Sequence, residues 1–402
     1  MKITNKTFGK ISLNVVLIGI VSFIADVSSE IIAPILPLFI ASLGGSGIAI
    51  GLVGGLRDSI ASILNAVSGY WSDKIGKRKI FVVYGYLTSS VFKGFLALSN
   101  AWQHVLLFAG MERIGKGLRG APRDAIISES MPENKGLAFG FHRAFDTAGA
   151  IAGSVLALIL FWSFGLGFKQ LIVIAAALAF VSLIPLYFVK EGKKTEKADA
   201  FKISLKELPT RLKIFILIAA VFAFANFNYM FFILKAQEAF AGKLSIAVPI
   251  LLYVLFNIFY AFSSIPFGVL SDGIGRKKAL ILGYALFSLT SFGFIFFDSI
   301  IGFIVLFALF GVTYAAIDGN QRAFVSDLSP QSLRATSLGV FHTIVGLIAL
   351  PASLIAGFLW EIFSPSIIFL YSGLVSFAAI ALFLWLGRHF KHSVNAKSIE
   401  SD

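Results

Sequence analysis

The sequence predicts an all-α membrane protein: twelve transmembrane helices in two six-helix bundles. Three observations predict it. The 402 residues are 57% hydrophobic and 14% charged, with a mean hydropathy of +0.88, whereas soluble domains carry about 25% charged and 45–50% apolar residues. The apolar residues gather into twelve runs, near 12–40, 47–70, 80–98, 104–122, 137–163, 169–189, 212–236, 246–270, 279–297, 300–321, 335–361 and 366–387. Each is close to the roughly 20 residues that cross a bilayer core. Finally, a short basic loop with regularly placed glycines occurs twice.

The first copy of that loop is Gly69-Tyr-Trp-Ser-Asp73-Lys-Ile-Gly76-Lys77-Arg78-Lys79, and the second is Gly268-Val-Leu-Ser-Asp272-Gly-Ile-Gly275-Arg276-Lys277-Lys278. Gly69 and Gly268, Asp73 and Asp272, and Gly76 and Gly275 each lie 199 positions apart. Each copy closes one apolar run and opens the next, so the repeating unit is half of the molecule. Its glycines let helix ends approach closely, and its aspartate can accept hydrogen bonds from a facing helix N-terminus.

Loop charge sets the topology. The loops after runs two, four, six, eight and ten hold Lys74, Lys77, Arg78, Lys79, Lys135, Lys190, Lys193, Lys194, Lys197, Lys202, Lys206, Arg276, Lys277, Lys278 and Arg334, and the tail adds Arg388, Lys391 and Lys397. The other loops hold few basic residues, Lys169 and Lys243 being the main ones. By the positive-inside rule both termini are cytoplasmic, in a multi-pass protein of the cell membrane. Residues 1–190 are expected to form the N-terminal bundle, 191–211 a cytoplasmic linker and 212–402 the C-terminal bundle.

The net charge of +13 is explained by these loops and does not call for nucleic acid. Without cysteine there are no disulfides and no thiolate metal sites. Lys2, Lys6 and Lys10 precede an apolar run that continues to about Ile40, too long for a signal peptide, so it reads as an uncleaved first helix. No glycine loop leads into Lys-Ser/Thr to cradle a phosphate, no His/carboxylate set has metal spacing, and no Ser/His arrangement suits a soluble catalytic pocket. The chain reads as a non-enzyme with no cofactor and no metal.

Charges inside the runs mark the candidate site, because an ionised side chain at the bilayer centre costs at least about 2.5–3.5 kcal/mol and must face a cavity or a partner. Run one carries Asp26 and Glu30, four apart on one helix face. Such a pair in low dielectric suits reversible protonation or substrate contact, or one acid pairs structurally with a neighbouring arginine. Pro34 and Pro37 bend its outer end. Run two carries Arg57 and Asp58, about 100° apart around the helix, so that Arg57 can reach an acid of run one while Asp58 faces elsewhere. Lys93 in run three is expected to snorkel outward.

Run four ends in Glu112-Arg113-Ile-Gly115-Lys116-Gly117-Leu-Arg119-Gly120-Ala-Pro122-Arg123-Asp124, with Arg113 deep enough to face Asp26 and with Arg119, Arg123 and Asp124 expected at a cytoplasmic gate. Arg322 repeats Arg123 at the same 199 spacing. Run five holds Gly136/Gly140 and Gly149/Gly153, two pairs that permit close helix contact, together with His142, Arg143 and Asp146. The second half is rich in phenylalanine and poor in charge, most of the chain's 43 phenylalanines are expected to face lipid, and the polar points of this half include Asn226, Asn228, Tyr229, Asn257, Asp318, Gln321, Arg322, His342 and Glu361.

The duplicated loop resembles the signature between helices two and three of the major facilitator superfamily, and its weaker copy between helices eight and nine. Arg113 followed by Gly115 and Gly117 resembles the family's fourth-helix arginine motif, which that resemblance links to proton coupling. Gly140-x8-Gly149-x3-Gly153 resembles the fifth-helix motif of drug/proton antiporters, with Ser154 where a proline would follow. The resemblance covers the whole chain and is most specific over residues 26–153, similar to a subgroup of bacterial and archaeal permeases.

The resemblance implies the major facilitator fold and a monomeric secondary transporter working by alternating access, driven by the proton gradient. Its partners would be protons, the lipid bilayer and a small molecule. Proton-coupled export of an amphipathic or aromatic organic compound is the preferred expectation, proton-coupled uptake of a metabolite or siderophore-like solute the alternative. A non-transporting receptor is disfavoured, because a scaffold has no use for intramembrane charges on four helices. The proton/substrate cavity would draw on Asp26, Glu30, Arg57, Asp58, Glu112, Arg113, Arg143, Asp146, Asn226 and Asn257. The cytoplasmic gate would draw on Gly69, Asp73, Gly76, Arg78, Arg119, Arg123, Asp124, Gly268, Asp272, Gly275, Arg276 and Arg322.

Overall fold

The computed structural model describes residues 11–191, 208–330 and 333–386. The termini, most of the expected linker and the basic residues Lys193, Lys194, Lys197, Lys202, Lys206, Arg388, Lys391 and Lys397 lie outside the described residues. Within them the chain forms α1 Leu13–Ser42, α2 Gly47–Ile75, α3 Arg78–Ala97, α4 Trp102–Ser130, α5 Lys135–Trp162, α6 Phe168–Phe188, α7 Thr210–Glu238, α8 Leu244–Ile274, α9 Arg276–Phe296, α10 Ile300–Leu328, α11 Arg334–Ile362 and α12 Pro365–Trp385. All but α4 contain a long apolar stretch with few charges. The charges of α4 run from Glu112 to Glu129, and of these Glu112 and Arg119 are buried among other helices.

Helices α2, α4, α8 and α10 run several residues past the apolar stretches that predict them. Their polar last turns keep the helical hydrogen-bond ladder beyond the apolar core, and hydropathy does not register that extension. Three helices are interrupted, α6 only at the single residue Ser182 between Val181 and Leu183, the other two over longer breaks. In α1 the helix stops at Ile32 and resumes at Leu36, where Pro37 occupies the first turn and needs no backbone donor. In α7 the helix stops at Ala225 and resumes at Met230. Non-helical backbone at membrane depth requires partners: Ser372 Oγ donates to the Ala225 carbonyl at 2.9 Å, and the Asn228 backbone N–H donates to Ser353 Oγ at 3.2 Å.

The two bundles meet along α2 against α11 and α5 against α8. Glycine makes the first contact possible. A Cβ at Gly51 would fall on the Ser353 carbonyl, and one at Gly55 would lie 2.7 Å from the Leu350 Cα. Gly149 and Gly153 serve the same end inside the N-terminal bundle, seating α5 against α1, where a Cβ would come within 2.6 Å of the Phe23 carbonyl. Gly136 and Gly140 face open space, so the expectation of close contact fails for that pair.

The glycines of the repeated loop divide the work. Gly76 and Gly275 end α2 and α8 at φ of 68° and 90°, a conformation that strongly favours glycine. They are chain-reversal residues, not the close-approach residues expected. Gly69 does make a close approach, since its Cβ would lie 3.0 Å from Ala121, while Gly268 faces open space.

One group of phenylalanines departs from the expectation of lipid exposure. Phe215, Phe227, Phe231, Phe232, Phe287, Phe294, Phe303, Phe307, Phe310, Phe369 and Phe383 are all fully buried. They interlock as stacked and edge-to-face pairs inside the C-terminal bundle, such as Phe232–Phe310 at 4.0 Å. Aromatic packing, not lipid exposure, is the use of these residues.

Candidate functional site

Between the bundles lies a cavity of about 700 Å³. Its N-terminal wall is charged. It is built from Asp26 and Glu30 of α1, Asp58 of α2, Lys116, Arg119, Arg123 and Asp124 of α4, and Arg143 and Asp146 of α5. Its C-terminal wall is aromatic, from Tyr229, Tyr253, Phe256, Tyr260 and Tyr314, with Asn257, Asp318 and His342 as the other polar members.

Cross-bundle contacts close the cavity on the face opposite the basic loops. Tyr229 Oη donates to the Ala33 carbonyl at 3.2 Å, the Ile48 N–H to Glu361 at 3.2 Å, and Lys243 Nζ to the Trp162 carbonyl at 2.7 Å. Nearer the cavity, Tyr253 Oη donates to Glu30 Oε2 at 2.9 Å and Asn228 Nδ2 to Asp58 Oδ2 at 2.7 Å. Arg143 Nη2 donates to Tyr260 Oη at 2.8 Å, and that hydroxyl donates to Asp318 at 2.9 Å. The cavity therefore opens toward the basic-loop face.

Of the residues expected at the cavity, Asp26, Glu30, Asp58, Arg143, Asp146 and Asn257 line it. Asp26 makes no hydrogen bond or ion pair among the described residues and sits at the wall between Glu30 and Asp146. Behind Asp146, His142 bridges Asp146 Oδ2, 3.5 Å from its Nδ1, and Ser22 Oγ, 2.8 Å from its Nε2. Its place is a buried polar network.

Arg57, Glu112 and Arg113 do not line the cavity. They form a buried cluster between α2 and α4, in which Glu112 lies 3.2 Å from Arg113 and 3.8 Å from Arg57. This corrects the expectation that either arginine pairs with an acid of α1. Glu112 is on the spot, and one buried carboxylate shared by two guanidiniums spares each from standing alone in low dielectric. Lys93 is 3% exposed and donates to Ser28 Oγ at 2.8 Å and Ser29 Oγ at 2.9 Å. It does not snorkel, because these hydroxyls solvate the ammonium inside the bundle. Asn226 lies off the main cavity in a side pocket, where its Oδ1 accepts from Tyr314 at 3.1 Å.

The expected gate also divides. Arg119, Arg123 and Asp124 are cavity-wall residues. Arg119 donates to Ser89 Oγ at 2.8 Å and stacks on Tyr86 at 4.2 Å, and Arg123 pairs with Asp124 at 3.0 Å. Arg322 pairs with Asp318 one turn away and borders the side pocket. In the loops, Asp73 pairs with Arg78 at 2.8 Å, and Arg78 with Glu129 at the end of α4. The second copy repeats this: Asp272 pairs with Arg276, which lies 3.4 Å from Asp327 at the end of α10. In this state each loop aspartate is held by its own loop, not by a helix start of the other bundle. The tyrosines of the C-terminal wall were not singled out as site residues apart from Tyr229, a noted polar point; their spacing on α8, with 253, 256, 257 and 260 on one face, is the signal that finds them.

This architecture, two six-helix bundles around a polar cavity open to one face, defines a membrane transporter. The family model described as Major Facilitator Superfamily matches residues 18–253 and 215–401, and the chain belongs to that superfamily. It is 53% identical over 386 residues to the MFS-type transporter MJ1317 of Methanocaldococcus jannaschii, covering 95% of this chain and 97% of that one. A more distant match, 28% identical over 201 residues, is the multidrug resistance protein MdtG of Rahnella sp., covering 48% of this chain and 46% of that one. Among solved structures, the fold resembles the nucleoside transporter NupG (TM-score 0.77, 15% identity, 92% of this chain and 99% of that one). It also resembles a bacterial homologue of the lysosomal transporter Spinster in an inward-facing conformation (TM-score 0.72, 15% identity, 93% and 96%).

Proposed function

We propose that the protein exports a small amphipathic or aromatic organic compound across the cytoplasmic membrane in exchange for protons. Both termini and the open face of the cavity are then cytoplasmic, and the protein works as a monomer of two bundles, residues 1–190 and 212–402, joined by a cytoplasmic linker. The observation that carries the reading is Asp26, a membrane-depth carboxylate in the cavity wall with no hydrogen-bond or ion-pair partner among the described residues, next to Glu30 and Asp146. An acidic side chain at membrane depth that makes no bond of its own must face a cavity or a ligand, so it marks a place for a proton, a cation or a polar group of the substrate. The division of the walls supports the rest: charge on the N-terminal side for proton handling, tyrosine rings on the C-terminal side for the organic substrate. The partial similarity to a multidrug resistance protein favours export over uptake. The test is proton flux in proteoliposomes across a library of amphipathic and aromatic compounds. A compound that draws protons through the wild type and fails to do so through Asp26→Asn supports the reading; equal flux through both removes Asp26 from the mechanism.

A further inference from the structure

We propose that the C-terminal bundle contains a separate subsite, opening off the main cavity, that takes one planar aromatic or heteroaromatic ring of the substrate. This inference rests on the transport reading above and narrows its substrate class. The subsite is a pocket of about 150 Å³ between α7, α9, α10 and α11. It shares Tyr314, Asp318 and His342 with the main cavity, which places its mouth on that cavity. A void of this volume is of the size that accepts a benzene ring, and its lining combines three phenylalanines with the Asp318–Arg322 ion pair and two amides.

The walls are aromatic and held in place. Phe222, Phe287 and Phe341 line the pocket, each at most 3% exposed. Phe222 is stacked face to face on Tyr284 at 4.0 Å and meets Phe287 edge-on at 5.1 Å. Rings fixed in this way present preformed surfaces to a flat guest. Two amides supply polarity at the edges. Asn226 Oδ1 accepts from Tyr314, leaving its Nδ2 hydrogens to donate, and Gln321 Nε2 donates to Tyr284 Oη at 2.9 Å, leaving its Oε1 to accept. The pocket thus offers a donor and an acceptor beside phenylalanine faces in a ring-sized slot, a match for a ring bearing an amide or a heteroatom edge.

The internal repeat shows that this is a property of one half. Helices α5 and α11 start 199 positions apart, at Lys135 and Arg334. At that spacing Phe341 and Val345 of the pocket correspond to His142 and Asp146. One bundle fills the place with a titratable pair bonded to Ser22, and the other leaves an aromatic-walled slot.

The experiment uses the full-length protein in lipid nanodiscs, without a proton gradient, and reads ligand binding by saturation-transfer NMR. The ligands are benzamide and its saturated analogue cyclohexanecarboxamide, equal in polar group and different in flatness. Val345 lines the pocket and not the main cavity, so Val345→Phe fills the slot alone, and Val345→Ala, with a melting curve for each, guards against misfolding. The expected result is binding of benzamide at least about tenfold tighter than of cyclohexanecarboxamide, lost about tenfold or more in Val345→Phe and kept in Val345→Ala. Equal binding of the two ligands, benzamide binding unchanged by Val345→Phe in a folded variant, or no benzamide binding overturns the subsite. Proton flux that survives while benzamide fails to bind rejects the subsite alone. Benzamide binding with no proton flux for any compound rejects the coupling alone.

Discussion

Glu30 of α1 accepts a hydrogen bond from the hydroxyl of Tyr253 on α8 at 2.9 Å, so a carboxylate of the N-terminal bundle is tied directly to the C-terminal bundle at the cavity wall. The bond exists in the state closed opposite the basic loops. It therefore adds to the stability of that state, and any change in the charge of Glu30 changes how firmly the bundles are held there.

A hydrogen bond to a charged group contributes about 1.5–3 kcal/mol. Tyr253→Phe removes it and should move the two-state equilibrium toward the state open on the opposite face by about ten- to a hundredfold. The chain has no cysteine, so a single cysteine at Ala150, on the cavity wall, reports access without background. It should react faster with an impermeant maleimide added on the opposite side in the Tyr253→Phe protein. An unchanged rate would mean that the bond does not hold the bundles.

Glu112 is the only carboxylate within ion-pair distance of Arg57 and Arg113 among the described residues. Glu112→Gln leaves two buried guanidiniums without a counter-charge and should destabilise the protein by about 3–5 kcal/mol. Asp124→Asn, at a half-exposed side chain, should change the melting temperature much less. Equal melting temperatures for the two variants would show that the buried cluster carries no structural load.

The orientation rests on loop charge. Cysteines at Lys77 and Lys277 should be labelled by an impermeant maleimide in inside-out vesicles and not in right-side-out ones. The reverse pattern would place the open face of the cavity outside.

Much of the fold was legible because a bilayer imposes one length scale and one solvent on every helix. The cavity acids Asp26, Glu30, Asp58 and Asp146 were legible for the same reason, since charge inside an apolar run has to face something polar. What an isolated run does not encode is the direction each face points. Arg113 looked free to cross to Asp26, but Glu112 beside it on α4 turns into the same interior and captures it. Phe232 and Phe310 look like lipid-facing residues in a run, and only their stacking at 4.0 Å shows a bundle core. The loop aspartates are readable as a repeat, but their partners, Arg78 and Arg276, follow from how each loop turns back on itself, which spacing alone does not encode. The tyrosine wall was hidden because tyrosine in a membrane helix is as common in an interfacial belt as in a site.

The central claim is that protonation of the N-terminal carboxylates moves the two bundles between opposite openings. Spin labels at Lys77 and Lys277 report the basic-loop face, and labels at the exposed Phe164 and Phe297 report the opposite face. Distance distributions measured by pulsed electron resonance from mildly alkaline to mildly acidic pH decide it. Lower pH should shorten the basic-face distance and lengthen the opposite one, and Glu30→Gln, which removes the charge from the acceptor of the Tyr253 bond, should show that low-pH distribution already at alkaline pH. Distances that stay the same across pH in the wild type, or that respond to pH in Glu30→Gln as fully as in the wild type, would contradict the account.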